Sequence, residues 1–215
     1  SIELMRDYFK PGISEQELWS RFQMEAVNRG AEWIETRLLA SGPRANPWYQ
    51  ECSSRPIQAG ELMGFDSDLV GSYGYCTDMS RTWLCGDEKP NEEQKDIYTM
   101  AYEQIQFNME ILKPGVTFQE LTYNAKEYSR NEFRHYSVLY HGVGLCDEFP
   151  AIPFTWELNE NSFDGVLKPG MTLCVESYIG RVDGGPGVKL EEQVLITEKG
   201  YELLTSYPLE TDLLR

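Results

Sequence analysis

The chain has 215 residues, 41% of them hydrophobic and 25% charged, which is enough for one domain with a real core. Its 35 acidic residues outnumber 19 lysines and arginines, for a net charge of −16. Nucleic acids and anionic membrane surfaces call for a basic face, so neither is expected as a partner, and no apolar run nears the roughly 20 residues that span a bilayer.

The N-terminal SIELMRDYFK is charged and lacks the apolar core of a signal peptide, which predicts a cytoplasmic location. Cys52, Cys76, Cys85, Cys146 and Cys174 are odd in number and form no C-x-x-C pair, so free thiols in a reducing compartment are expected. KPGISEQEL at 10–18 is echoed by KPGVTFQEL at 113–121. Each is a Lys-Pro-Gly turn followed by an S/T-x-x-E capping box, Ser14 with Glu17 and Thr117 with Glu120. Helices are predicted from these caps to about Arg29 and Arg130, and the echo suggests two related halves. A further helix is predicted over 92–112, capped by Asn91, with Ile97, Ala101, Ile105, Asn108 and Leu112 on its packed stripe. Strands are predicted over 33–40, 61–70, 75–84, 135–141, 171–180 and 188–197. The segments 42–59 and 147–166 read as loops beside them. Helices with antiparallel hairpins imply an α+β domain.

The chemistry lies in two hairpins. In MGFDSDLVGSYGYCTDMSRTWL, residues 63–84, a turn centred near Tyr73 sets Asp68 opposite Asp78, and strand alternation puts Asp66 on the face of Asp68. In MTLCVESYIGRV and GVKLEEQVLIT, a turn between Asp183 and Gly184 sets Glu176 opposite Glu191 and sends Glu192 to the other face. Any one of these acids alone would read as an exposed surface group. Facing acids amid apolar residues repel unless a cation lies between them. His141, in YHGVGL, is one of two histidines and the obvious nitrogen ligand. Asp66, Asp68, Asp78, His141, Glu176 and Glu191 therefore read as a site for two metal ions. Oxygen-rich ligands with one imidazole suit iron, manganese, cobalt or zinc.

ASGPRANPW, GYCTDMSRTW, YHGVGL, LKPGMTLCVES and KLEEQVLIT followed by EKG resemble, in order and spacing, the pita-bread family of methionine aminopeptidase, proline-specific aminopeptidase, prolidase and creatinase. The resemblance covers nearly the whole chain. It implies a curved antiparallel sheet covered by helices, with halves related by a pseudo-twofold axis. It also implies a dinuclear metal centre on Asp78, His141, Glu176, Glu191 and an upstream aspartate. The family's peptidases have that aspartate eleven residues before the second; here Ser67 stands there, between Asp66 and Asp68. They carry a histidine where this chain has Trp48, and another where it has Asp147. Retained ligands with altered catalytic groups resemble the branch of dimethylsulfoniopropionate lyases of marine bacteria. That branch is described as an iron enzyme producing dimethyl sulfide and acrylate by β-elimination. The resemblance makes Asp147 the candidate base and places Tyr136 against the substrate. An aromatic face attracts a sulfonium, so Tyr136 and Trp48 are both candidates for holding it, although either can equally be a core aromatic. An Xaa-Pro peptidase and a non-catalytic binding protein stay open as alternatives. The two-domain members carry an N-terminal domain not found in these residues and are usually dimers. Residues 1–215 are therefore expected to be a single catalytic domain, consistent with the catalytic half of a longer protein that forms a homodimer and acts on a small molecule.

Overall fold

Both turn-and-cap sequences do what their residues dictate. In the computed structural model, which describes residues 1–215, a short helix α1 (Ile2–Tyr8) precedes α2 (Glu15–Asn28). The Ser14 hydroxyl accepts from the Glu17 amide at 3.3 Å, and the Glu17 carboxylate accepts from the Ser14 amide at 3.0 Å. α3 spans Glu92–Glu110, and α4 (Phe118–Asn124) opens on the matching box of Thr117 and Glu120. The match continues along the backbone. The Gly12 amide donates to the Ile57 carbonyl and the Gly115 amide to that of Leu167, at 2.8 and 2.9 Å. The Gly60 amide donates to the Cys85 carbonyl and the Gly170 amide to that of Ile196, both at 2.8 Å. The two halves are thus built on one plan.

The strands in chain order are β1 (Trp33–Ile34), β2 (Leu39–Ser41), β3 (Leu62–Asp66), β4 (Leu69–Val70), β5 (Cys76–Thr77), β6 (Ser80–Leu84), β7 (Phe133–Arg134), β8 (Tyr140–Gly142), β9 (Ala151–Ile152), β10 (Thr172–Arg181), β11 (Gly187–Ile196) and β12 (Tyr201–Leu203). One half carries β2–β3–β6; the other carries β12–β11–β10–β8–β9, with β7 also on β10. All pairings are antiparallel. The halves meet where β6 lies along β11: the Thr82 hydroxyl donates to the Lys189 carbonyl at 2.8 Å and accepts from its amide at 3.0 Å. Fully buried Arg81 donates to the Glu191 carbonyl at 2.6 Å and to both Glu192 carboxylate oxygens at 2.9 Å. That pairing takes Glu192 to the face opposite Glu191, as alternation predicts.

α3 covers the second sheet, burying Ile97, Ala101, Ile105 and Asn108, and Leu112 is buried just past its end. α2 covers the first, packing Leu18, Trp19 and Phe22 on Leu39, Met63, Phe65 and Trp83. No helix is long and apolar enough to cross a membrane. All five cysteines are free thiols; Cys85 and Cys174 are buried and Cys146 is exposed.

Several boundaries differ from those expected. The long strand over 61–70 breaks at Ser67–Asp68, where Asp68 adopts φ 35°, and that over 75–84 breaks opposite it at Asp78–Met79. There side chains replace ladder bonds: the Asp68 amide donates to Asp78 Oδ1 at 3.2 Å and the Met79 amide to Ser67 Oγ at 3.0 Å. The strand over 33–40 splits into β1 and β2, and that over 135–141 contracts to β8, with β7 lying just before the expected start. The helix expected to reach Arg130 stops at Asn124. Two buried polar side chains of α3 take the next backbone groups instead. Asn108 Oδ1 accepts from the Lys126 amide at 2.8 Å, and Gln104 Nε2 donates to the Lys126 carbonyl at 2.9 Å.

Candidate metal centre

The strand registers bring the acids together. β10 and β11 pair Glu176 with Glu191, and β10 and β8 pair Cys174 with His141. In the other half β3 and β6 pair Asp66 with Ser80. The pairing Leu69 with Thr77 continues that register across the break, so Asp68 faces Asp78 as predicted. Because β6 lies against β11, these sets converge on one buried point. Asp66, Asp68, Asp78, His141, Glu176 and Glu191 are all buried.

His141 Nε2 lies 3.3 Å from both Glu176 Oε1 and Glu191 Oε1. His141 Nδ1 lies 3.2 Å from the Gly142 carbonyl and can donate to it, which turns Nε2 toward Glu176 and Glu191. Three groups of side chains bring one ligand atom each to within 4.8 Å of the others: Asp66, Asp78 and Glu191; Asp68, Asp78 and Asp147; and His141, Cys174 and Glu191. Asp78 and Glu191 each belong to two of them. Asp66 and Asp68, expected on one face, enter different groups that share Asp78, the regular strand having broken between them at Asp68. Glu176 joins through His141 and through Lys189.

Lys189 was not foreseen. It is fully buried, and its Nζ donates to Ser80 Oγ and Glu176 Oε2 at 2.7 Å and to Glu191 Oε2 at 3.2 Å. Asp66 Oδ2 lies 3.0 Å from Nζ as an ion pair, without a hydrogen bond. Ser80 Oγ in turn lies 2.6 Å from Asp66 Oδ1 and 2.9 Å from Glu191 Oε2. The signal was in the sequence: Lys189 stands two residues before Glu191 on a strand and so shares its face.

The electrostatics follow from this packing. Burial, then the neighbouring Glu191, Asp66 and Asp68 charges, raise the Asp78 carboxyl well above the usual range. Burial and Asp66 push Asp68 up to about 8. Burial raises Asp66 too, against the pull of Lys189. At Glu191, burial and Glu176 act upward, but Lys189 and His141 outweigh them and the carboxyl is lowered. Burial would lower Lys189, yet Asp66, Glu176 and Glu191 hold it well above its ordinary value. Five buried carboxylates with one ammonium and one imidazole are short of positive charge, and buried charge is costly unless paired. Asp66 Oδ2 and Glu191 Oε1 accept no hydrogen bond. The donor set, hard oxygens with one imidazole, fits divalent metal ions.

Asp147 sits in the loop after β8, its Oδ1 3.9 Å from His141 Nδ1 and its side chain 7% exposed. Burial pushes its carboxyl up to about 6. The Tyr136 ring centroid is 4.3 Å from Lys189 Nζ, and its hydroxyl donates to Glu148 Oε1 at 3.4 Å. Trp48 is buried with Leu38, Tyr136 and Tyr178, its ring edge against Gly64. Its neighbour Tyr49, at φ 70°, is half exposed and stacks on Tyr136 with centroids 5.4 Å apart. The loop therefore presents Tyr49 outward and Trp48 inward.

Antiparallel sheets under helices, built as two like halves around buried acids and a histidine, are the pita-bread architecture of a class of metalloenzymes. Residues 2–198 match metallopeptidase family M24, and the chain belongs to that family. It is 50% identical over 202 residues to a dimethylsulfoniopropionate lyase DddP of Roseovarius nubinhibens, covering 94% of this chain and 45% of that protein. It is 50% identical over 222 residues to the protein of the same name from Roseobacter denitrificans, covering all of this chain and 49% of that one. The chain thus spans about half the length of these curated relatives. Among solved structures, the prolidase from Pyrococcus horikoshii matches with a TM-score of 0.84 at 29% identity, over 97% of this chain and 58% of that one.

Proposed function

We propose that this chain is the catalytic domain of a metal-dependent lyase that splits dimethylsulfoniopropionate into dimethyl sulfide and acrylate. The observation that carries this reading is its 50% identity, along essentially its whole length, to two proteins named for that activity. Its site supports the same choice. Where the family's peptidases resemble one another in two histidines, this chain has Trp48, which is buried in an aromatic cluster, and Asp147, a carboxylate whose burial makes it more basic.

In this reading Asp66, Asp68, Asp78, His141, Glu176 and Glu191 hold two divalent ions, of which iron is our choice before manganese, cobalt or zinc. When bound, such ions supply Lewis acidity for the substrate carboxylate and for the charge that develops beside it. Asp147 accepts the proton from the carbon next to that carboxylate. The C–H electron pair becomes the new C=C bond. The C–S bond breaks, and its electron pair leaves on the sulfur of dimethyl sulfide. Tyr136 and Trp48 are our candidates for the aromatic wall that meets the sulfonium, reached past Tyr49, which stacks on Tyr136 at the exposed edge. We read the whole protein as a cytoplasmic homodimer of a marine bacterium acting on this small molecule.

A dinuclear peptidase for proline-containing dipeptides is the second reading, favoured by the close likeness to prolidase structures. Proton NMR of metal-loaded protein with dimethylsulfoniopropionate in one tube and glycyl-proline in another separates the two. Vinyl signals of acrylate matched by equimolar dimethyl sulfide are expected. Free proline without acrylate would return the chain to the peptidases.

A further inference from the structure

Lys189 is the one ammonium inside the acid cluster. Its three protons are committed to Ser80, Glu176 and Glu191, which leaves Asp66 Oδ2 held at 3.0 Å by charge alone. It therefore touches three of the six residues assigned to metal binding, from both halves of the fold. Asp66 comes from β3, Glu176 from β10 and Glu191 from β11. Its own strand is fixed to the other half through the Thr82 bonds to the Lys189 backbone. The aliphatic stem is wholly buried and the Tyr136 ring covers the head, so the ammonium has no route to water that keeps these contacts.

We propose that Lys189 is a built-in cation of the centre. It neutralises part of the acid cluster without any metal, holds the two halves together in the metal-stripped protein, and opposes divalent ions that bind the same carboxylates. It is a positioning and charge-setting residue rather than a catalytic one. The consequence is a trade-off. To the extent that an ion displaces Lys189 from these carboxylates, the stability the lysine lends the stripped protein offsets the stability that metal binding adds, because ligand binding to the folded state is linked to folding. Removing the charge should weaken the stripped fold and tighten metal binding together. A lysine that served only to orient the ligands would give the opposite result, since losing it would disorder the site and weaken metal binding.

The inference rests on the cluster being a metal site, and the test separates the two claims. Wild type, Lys189→Met and Lys189→Gln are purified with Mn²⁺, stripped with chelator and dialysed. Their melting temperatures are measured stripped and loaded, and Mn²⁺ is titrated into the stripped proteins by calorimetry. Both variants should melt lower than wild type when stripped and recover most of that loss when loaded. Both should bind Mn²⁺ about tenfold or more tightly than wild type, the scale of one unit charge at contact distance in a partly desolvated site. Unchanged or weaker Mn²⁺ affinity in the variants, an unchanged stripped melting temperature, or failure of both variants to fold even in saturating Mn²⁺ would each overturn the role given to Lys189. Wild type that takes up no Mn²⁺ would remove the metal reading itself, and this inference with it.

Discussion

Asp147 carries the proton transfer in this account, and its surroundings explain why an aspartate can serve. Burial lifts its carboxyl to about 6, while His141 beside it pulls the other way. Asp147→Asn keeps the shape of the side chain and removes the base. It should leave metal content unchanged and lower turnover by about 10²- to 10⁴-fold, the usual worth of a general base; metal analysis and product assay on one preparation decide this. A loss of metal would instead make Asp147 a ligand, a role its proximity to Asp68 and Asp78 also allows. The other histidine has a different task. His135 packs against Phe154 and Trp156, and burial pushes its pKa from 6.5 down to about 4 against a weak contact with the Tyr128 backbone. The unfolded chain takes up this proton below about pH 6.5 and the folded chain only near pH 4. Its contribution is therefore complete above pH 6.5 and lost as pH falls toward 4. His135→Phe should show a smaller drop in melting temperature between pH 7 and pH 5 than wild type; an equal drop would deny His135 this part in acid sensitivity.

At the scale of elements, the reading from residues succeeded where one turn or one cap decides the geometry. The Ser14 and Thr117 boxes, the Asp68–Asp78 opposition and the Glu176–Glu191 pair all follow from local chemistry and strand alternation. It failed where distant groups decide. α4 ends early because Gln104 and Asn108, on another helix, claim the backbone after it. The strand break at Ser67–Asp68 depends on Asp78 and Ser67 capping amides across the gap. Lys189 was legible as a face-mate of Glu191, but its contact with Asp66 exists only because β6 and β11 meet. The loop bearing Asp147 has a comparable long-range constraint. A Cβ on Gly142 would strike the Phe149 carbonyl and the Pro150 ring. Gly142→Ala should cost about 1–3 kcal/mol, as overpacking does, and should lower turnover more than metal content by displacing the Asp147 loop. Chemical denaturation and the same paired assay test this; a variant as stable and as active as wild type would contradict it.

The whole molecule is two copies of one plan that differ in what they place at the centre. The register that pairs Ala40 with Gly64 in one half pairs His141 with Cys174 in the other. Asp66 and Glu176 stand at the corresponding next positions, two residues beyond Gly64 and Cys174 on the same strands. The repeat was visible in the two KPG segments, and the fold makes it functional by turning both sheets toward one buried point. Family membership rests on the match over residues 2–198, whereas the activity proposed here rests on the 50% identity to two lyases of about twice this length. The most direct test is the release of dimethyl sulfide, followed by gas chromatography of the headspace, from dimethylsulfoniopropionate mixed with protein that has been stripped and then reloaded with iron. The account predicts no release from the stripped protein and sustained release after reloading. Equal release in both states, or none from protein shown to have bound metal, would contradict it.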